Sequence, residues 1–337
     1  MKGQEIMRII VDAFGGDNAP LEIVKGCAIA AKENDCEIIL VGREKEIEDI
    51  LKGLDYPKEK ITIHNADEVI GGCEVPTTAI REKKNSSLVV GLELLKEGKG
   101  EAFVSAGNTG AYLAGAFRYL GRIKGVKRPA LTTYMPTANG ACIVLDVGAN
   151  ADCKPEFLKQ FAVMGSVYAE NVLNIKNPKV GLINIGAEEA KGNELMKATH
   201  ALLKEEKNIN FTGNIEARQV PEGDADVVVC DGFTGNIVLK LTEGVAMTFY
   251  GMVKKAFLKN VLTKLAALAV KGGLKELKKK MDYTEYGGAP LLGIDGVAIK
   301  AHGSSNAKAI ANAIKSAIKF YNADVNGKIK EKIVEEE

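Results

Sequence analysis

Short runs of β-branched and aliphatic residues alternate with amphipathic stretches along most of this chain, and loops rich in Gly, Asn and Asp lie between them. Residues 8–12 read as a strand, 13–18 as a loop and 21–32 as a helix, with Pro20 where a first helical turn tolerates it. Residues 37–41 and 44–52 repeat the pair. Residues 102–105, 143–147, 180–185 and 226–230 give further strands, each running into a turn and a helical stretch. These strands are apolar throughout rather than alternating, as expected when helices cover both faces of a sheet. The pattern predicts an α/β fold, an open, mostly parallel sheet with helices on both faces. No proline- or serine-rich linker interrupts it, so residues 7–327 are expected to form one continuous unit, with a charged tail over 328–337 that frays.

Composition narrows the setting. With 337 residues and 46% apolar content, the chain can bury a large core without staples. Its 45 basic and 44 acidic residues exert no global pull toward nucleic acid, so any charged partner surface must be local. The six cysteines include no C-x-x-C pair and read as reduced thiols of a cytoplasmic protein. His64, His200 and His302 sit in distant segments, which disfavours a metal site. No secretory signal or membrane-length apolar span is read, and the residues before Met7 are set aside as an alternative start or an addition.

Candidate chemistry lies in the turns that follow the strands: D-A-F-G-G-D-N-A-P (12–20), S-A-G-N-T-G-A (105–111), D-V-G-A-N-A-D (146–152), N-I-G-A-E-E-A-K-G-N (184–193) and D-G-F-T-G-N (231–236). Ligands of open α/β sheets bind beyond the carboxyl ends of the strands. Glycine lets backbone approach an anion, and the N–H groups of a following helix favour negative charge. Neither G-x-x-x-x-G-K-[ST] nor a first-turn G-x-G-x-x-G occurs, and there is no G-x-S-x-G elbow. The expected ligand is therefore a small anion such as phosphate.

Those turns, with K-K-N-S-S (83–87), R-P-A-L (128–131), Y-G-G-A-P-L-L-G (286–293) and H-G-S-S (302–305), follow in order along nearly the whole chain. In this the sequence resembles the bacterial phosphate acyltransferases of glycerolipid synthesis, which convert acyl-[acyl carrier protein] and phosphate into acyl phosphate. Phe14 stands where that family carries methionine. The resemblance implies a fold similar to phosphotransacetylases and isopropylmalate dehydrogenases, a homodimer, and no organic cofactor. A glycerol-3-phosphate acyltransferase would use the product.

Attack of phosphate on a thioester needs a held nucleophile, donors for the oxyanion and stabilisation of the leaving thiolate. Lys191 and Asn236 are the candidates for offsetting phosphate charge and donating to the oxyanion, and His302 for protonating the thiol. Gly107, Asn108, Thr109, Gly110, Asn193, Thr234 and Gly235 are candidate phosphate- and substrate-binding positions. Asp12, Asp17, Asp146 and Asp231 would repel phosphate and are read as orienting loops. Cys230, at a strand end, leaves open a covalent acyl-enzyme.

One segment departs from the neutral balance. From Lys254 to Lys280 nine lysines face one glutamate, interleaved with an apolar stripe. An amphipathic helical hairpin over residues 248–282 is expected, broken at Gly272-Gly273. Lys254, Phe257, Leu258, Val261, Leu265 and Lys271 are its candidate contacts with acyl carrier protein or an anionic membrane surface, the inner face of the cell membrane. Two rival readings stay open: a phosphotransacetylase acting on short acyl-CoA, and a noncatalytic phosphate- or lipid-binding scaffold.

Overall fold

The computed structural model describes residues 6–281 and 287–334. Tyr286 of the last glycine motif, Asp282 at the end of the expected hairpin, residues 1–5 and residues 335–337 of the tail lie outside the described residues. In chain order the elements are β1 (Met7–Asp12), α1 (Leu21–Glu33), β2 (Cys36–Gly42), α2 (Glu44–Leu51), β3 (Ile61–Asn65), α3 (Pro76–Glu82), α4 (Ser87–Lys96), β4 (Ala102–Ser105), α5 (Thr109–Tyr119), β5 (Ala130–Thr137) and β6 (Gly140–Leu145). There follow α6 (Pro155–Val172), β7 (Lys179–Asn184), α7 (Glu194–Glu205), β8 (Asn210–Glu216), β9 (Val227–Val229), α8 (Gly232–Phe257), α9 (Val261–Met281), β10 (Ala289–Leu292), β11 (Val297–Lys300), α10 (Ala307–Asn322) and α11 (Val325–Val334).

All the strands join one sheet in the order β3-β2-β1-β4-β11-β10-β5-β6-β9-β7-β8. Along a strand, alternate residues enter opposite core layers. Ile9, Val11 and Val104 pack with Phe161, Tyr168 and Phe320 on one face, while Ile10 and Phe103 pack with Leu92 and Tyr112 on the other. Each fully buried side chain of this size contributes roughly 1.5–3 kcal/mol.

The sheet is mostly parallel, as expected, but it consists of two opposed halves. β1, β2, β3, β4 and β11 run together, as do β6, β7, β8 and β9. Between them β10 and β5 pair antiparallel. Lys300 at the end of β11 lies opposite Ala289, Leu291 opposite Leu131, and Thr132 opposite Leu145 at the end of β6. The carboxyl ends of the two halves therefore converge within a few residues of each other.

Three expectations are corrected. β3, β5, β8, β10 and β11 have no counterpart in the sequence reading: β3, β10 and β11 are short, β5 and β10 carry Pro136 and Pro290, and β8 is mostly polar, with Asn210, Thr212, Gly213 and Asn214. The stretch 328–334 does not fray: α11 buries Ile329 and Ile333, and Lys328 Nζ donates to Asn171 Oδ1 of α6 at 2.5 Å. Gly272-Gly273 lies inside α9, whereas the hairpin turns at Leu258–Asn260. There Asn260 caps α9, accepting from Thr263 N (2.9 Å) while Thr263 Oγ1 accepts from Asn260 N (3.0 Å). Two glycines inside a helix weaken it without ending it.

Candidate active site

A cavity of about 210 Å³ opens where the two halves converge. Its polar lining comes from Thr109 after β4, Lys300, His302 and Ser305 from the end of β11 and the loop beyond, and Asn236, Lys240 and Glu243 of α8. Leu131, Val147 and Leu239 give it an apolar wall.

Buried aspartates hold the surrounding turns. Asp12 accepts from Ser105 Oγ (2.6 Å) and Phe14 N (3.2 Å), and Ser105 Oγ accepts in turn from Gly107 N. A Cβ at Gly15 would stand 2.5 Å from Asp12 Oδ2, so this turn closes only around glycine. Asp146 accepts from the N–H groups of Leu131, Gly148, Ala149 and Asn150 and from Asn150 Nδ2, ending β6 two residues before the expected point. Burial pushes both carboxyls above the ordinary range, against the pull of these hydrogen bonds. Asp231 caps α8 through Thr234 N and Thr234 Oγ1, each 2.8 Å away. Exposed Asp17 donates its N–H to Gly303 O, tying the β1–α1 loop to the H-G-S-S loop.

The same geometry corrects the anion-cradle reading of the turns. Asn108 caps α5 through Ala111 N and donates Nδ2 toward the carbonyls of Gly71, Gly72 and Glu74. Asn193 caps α7, and the Thr234 hydroxyl is taken by Asp231. Gly110 packs on Pro76, and Gly235 lies so close to the Asp146 carbonyl that a Cβ would come within 1.9 Å of it. Gly107, Asn108, Gly110, Thr234 and Gly235 thus frame the site rather than line it, and Asn193, exposed at the start of α7, does not reach it. Of the expected residues, Thr109, Asn236 and His302 reach the cavity. Lys191, on the exposed turn after β7, does not.

His302 Nδ1 lies 3.2 Å from Ser304 N, which can only donate, so Nδ1 accepts and the neutral ring carries its proton on Nε2. Burial, reinforced by Lys240, pushes its pKa down, partly offset by Glu243. These influences favour the neutral ring, which weakens the general-acid role expected of it. Cys230 is fully buried, its Sγ donates to Asp146 O, and burial beside Asp146 and Asp231 holds the thiol protonated. Cys230 is also absent from the cavity lining, and both facts argue against the covalent route, because the nucleophile is the thiolate.

Sequence reading missed Lys300, Ser305 and Lys240. The signal for Lys300 was a cation closing the apolar run V-A-I-K just before His302. Burial pushes its pKa down to about 8, opposed by the charges of Asp12 and Asp17 and aided by Lys240.

The hairpin residues Lys254, Leu258, Val261, Leu265 and Lys271 are exposed, and Phe257 is half-buried. Leu241, Val245 and Met252 extend an exposed apolar face along α8. Among the described residues, no helix is long and apolar enough to cross a membrane, and no three His, Cys, Asp or Glu side chains gather as a metal site would require.

Residues 7–328 match the family described as fatty acid synthesis protein. The chain is 56% identical over 319 residues to a phosphate acyltransferase of Alkaliphilus oremlandii, covering 95% of each, and 54% identical over 328 residues to one of Thermoanaerobacter pseudethanolicus, covering 97% of each. A phosphotransacetylase from Streptococcus pyogenes shares the fold at a TM-score of 0.64 and 18% identity, covering 95% of this chain and 94% of that one. A 4-hydroxythreonine-4-phosphate dehydrogenase from Klebsiella pneumoniae shares it at 0.53 and 15%, covering 94% and 99%.

Proposed function

The chain belongs to the phosphate acyltransferase family of fatty acid synthesis proteins, and on that premise we propose that it moves a long acyl chain from acyl carrier protein onto inorganic phosphate. The observation that carries this reading is the cavity itself, where Lys300, an amide and a Lys240–Glu243 ion pair face an aliphatic wall between opposed strand ends. That is the polarity a reacting phosphate and acyl thioester require.

In the step we infer, a phosphate oxygen attacks the thioester carbonyl carbon. A C–O bond forms, the C–S bond breaks, and the proton of monohydrogen phosphate ends on the thiol. Asn236 donates its amide to the tetrahedral oxyanion, a contact of a kind that contributes roughly 10²–10³ in rate. Neutral His302 donates a hydrogen bond from Nε2 rather than acting as an imidazolium acid, and Lys240, whose Nζ is paired with Glu243 Oε2 at 2.9 Å, offsets the negative charge in part. Exposed Lys191 attracts the incoming anion from outside the cavity.

The lysines of α9 suit an acidic partner, namely acyl carrier protein or the anionic inner face of the cell membrane, and the apolar face of α8 suits a second copy in a homodimer. The acyl phosphate then acylates glycerol 3-phosphate through a separate acyltransferase. Release of carrier-protein thiol from palmitoyl-carrier protein should depend on phosphate and exceed turnover of acetyl-CoA. The reverse preference would sink the long-chain assignment. Liposome flotation of Leu265→Glu tests the membrane contact, which unchanged binding would remove.

A further inference from the structure

A buried ammonium costs several kcal/mol unless something compensates it. Lys300 is 6% exposed, and its Nζ donates to the carbonyl of Ala301 at 2.5 Å. Among the described residues no carboxylate comes within ion-pair distance of it; Asp12 from β1 and Asp17 from the following loop act on it at longer range, and Lys240 of α8 opposes them. A second observation on the same wall is independent of charge. The Ser305 hydroxyl, in a residue 2% exposed, has no hydrogen-bond partner although its neighbours line the same cavity. Unsatisfied buried polar atoms are rare in folded proteins, and each one calls for an explanation.

We propose that Lys300 and Ser305 form the seat of the acceptor phosphate, the ammonium as its counter-charge and the hydroxyl as a hydrogen-bond partner. This rests on the acyl-transfer reading and deepens it by assigning the acceptor to the β11 wall, apart from Lys191 and the hairpin. One anion completes both groups: it supplies the missing charge to Lys300 and the missing partner to Ser305. With phosphate on this wall, Asn236 is left to meet the acyl carbonyl across the cavity, and Leu131, Val147 and Leu239 to meet the aliphatic part of the donor.

Titration of the full chain with inorganic phosphate, by calorimetry and without an acyl donor, tests the seat. Lys300→Met should weaken phosphate at least ~100-fold, as expected for a charge-assisted contact, and Ser305→Ala about 5-fold. Bound anion favours protonated lysine, so wild-type affinity should fall as pH rises through about 8, where free Lys300 loses its proton. Arginine stays charged, so Lys300→Arg should keep binding and move that alkaline limb to higher pH, a shift that a merely structural lysine would not produce. Asp12, Asp17, Lys240 and His302, which act on Lys300, and Glu243 and Tyr134, which line the same cavity, are the same in both proteins.

Folded Lys300→Met binding phosphate within 2-fold of wild type overturns the proposal, and so does a wild type that binds no phosphate. Should Lys300→Met fail to fold, an unmoved limb in Lys300→Arg overturns it. Thiol release is read separately. Lys300-dependent phosphate binding without thiol release would defeat the acyl-transfer reading and leave the phosphate seat standing.

Discussion

The turns after β6 and β7, D-V-G-A-N and N-I-G-A-E-E-A-K-G-N, share a Gly-Ala pair behind a polar and an aliphatic residue, and do different work. The first wraps its backbone around buried Asp146, and the start of α8 packs on it, presenting Asn236 to the cavity. The second is largely exposed, held by Asn184 Nδ2 on the Lys191 carbonyl and by a Lys204–Glu189 ion pair. The difference comes from strand order. β6 lies beside β5 where the halves meet, while β7 lies beyond β9. Glycine and asparagine announce a turn, but the neighbouring strand decides whether that turn meets the ligand.

The largest effect that can break this comparison is catalytic. Asn236→Ala should lower kcat about 100- to 1000-fold, whereas Lys191→Ala should mainly raise KM. Equal losses of kcat in steady-state assays would place both turns at the reacting atoms. Stability sharpens it next. Gly235→Ala, forced against the Asp146 carbonyl, should cost about 3 kcal/mol or more in urea unfolding. Gly186→Ala meets only the flexible side chains of Glu188 and Lys191 and should cost under about 1 kcal/mol. Asp146→Asn replaces one acceptor oxygen with an NH2 donor facing converging N–H donors and should cost about 2 kcal/mol, against about 1 kcal/mol for the cap lost in Asn193→Ala.

The smallest effect concerns charge at the centre. Lys300 has a folded pKa near 8, below its ordinary 10.5, so the unfolded chain holds more protons between those values. Wild-type stability should therefore gain on Lys300→Met as pH rises from 8 toward 10.5. A parallel pH dependence of the two proteins would show that Lys300 is not strained by burial.

The class of fold and the positions of the turns were legible because buried parallel strands are apolar throughout and their ends are rich in glycine. β1, α1, β2, α2 and β4 fall within a residue or two of their predicted bounds. The site was legible only in part. β10 and β11 come late in the chain yet insert between β4 and β5, carrying Lys300 and His302 into the middle of the sheet. Nothing local in four-residue strands records that insertion. Asn108 and Asn236 follow similar glycine-bearing strand ends, yet one caps a helix and the other faces the cavity. Only the packing of α5 and α8 separates them.

Helix α8 runs unbroken from Gly232 to Phe257, so Asn236 and the hairpin turn share one rod, about 30 Å apart. They also share a rotational phase. One residue inserted after Thr242 would turn everything beyond it through about 100° while leaving the first turn seated on Asp146. The direction in which the lysine-rich end points is thus set by the count of residues between the cavity and the tip, and a docking surface grafted here would have to keep that count.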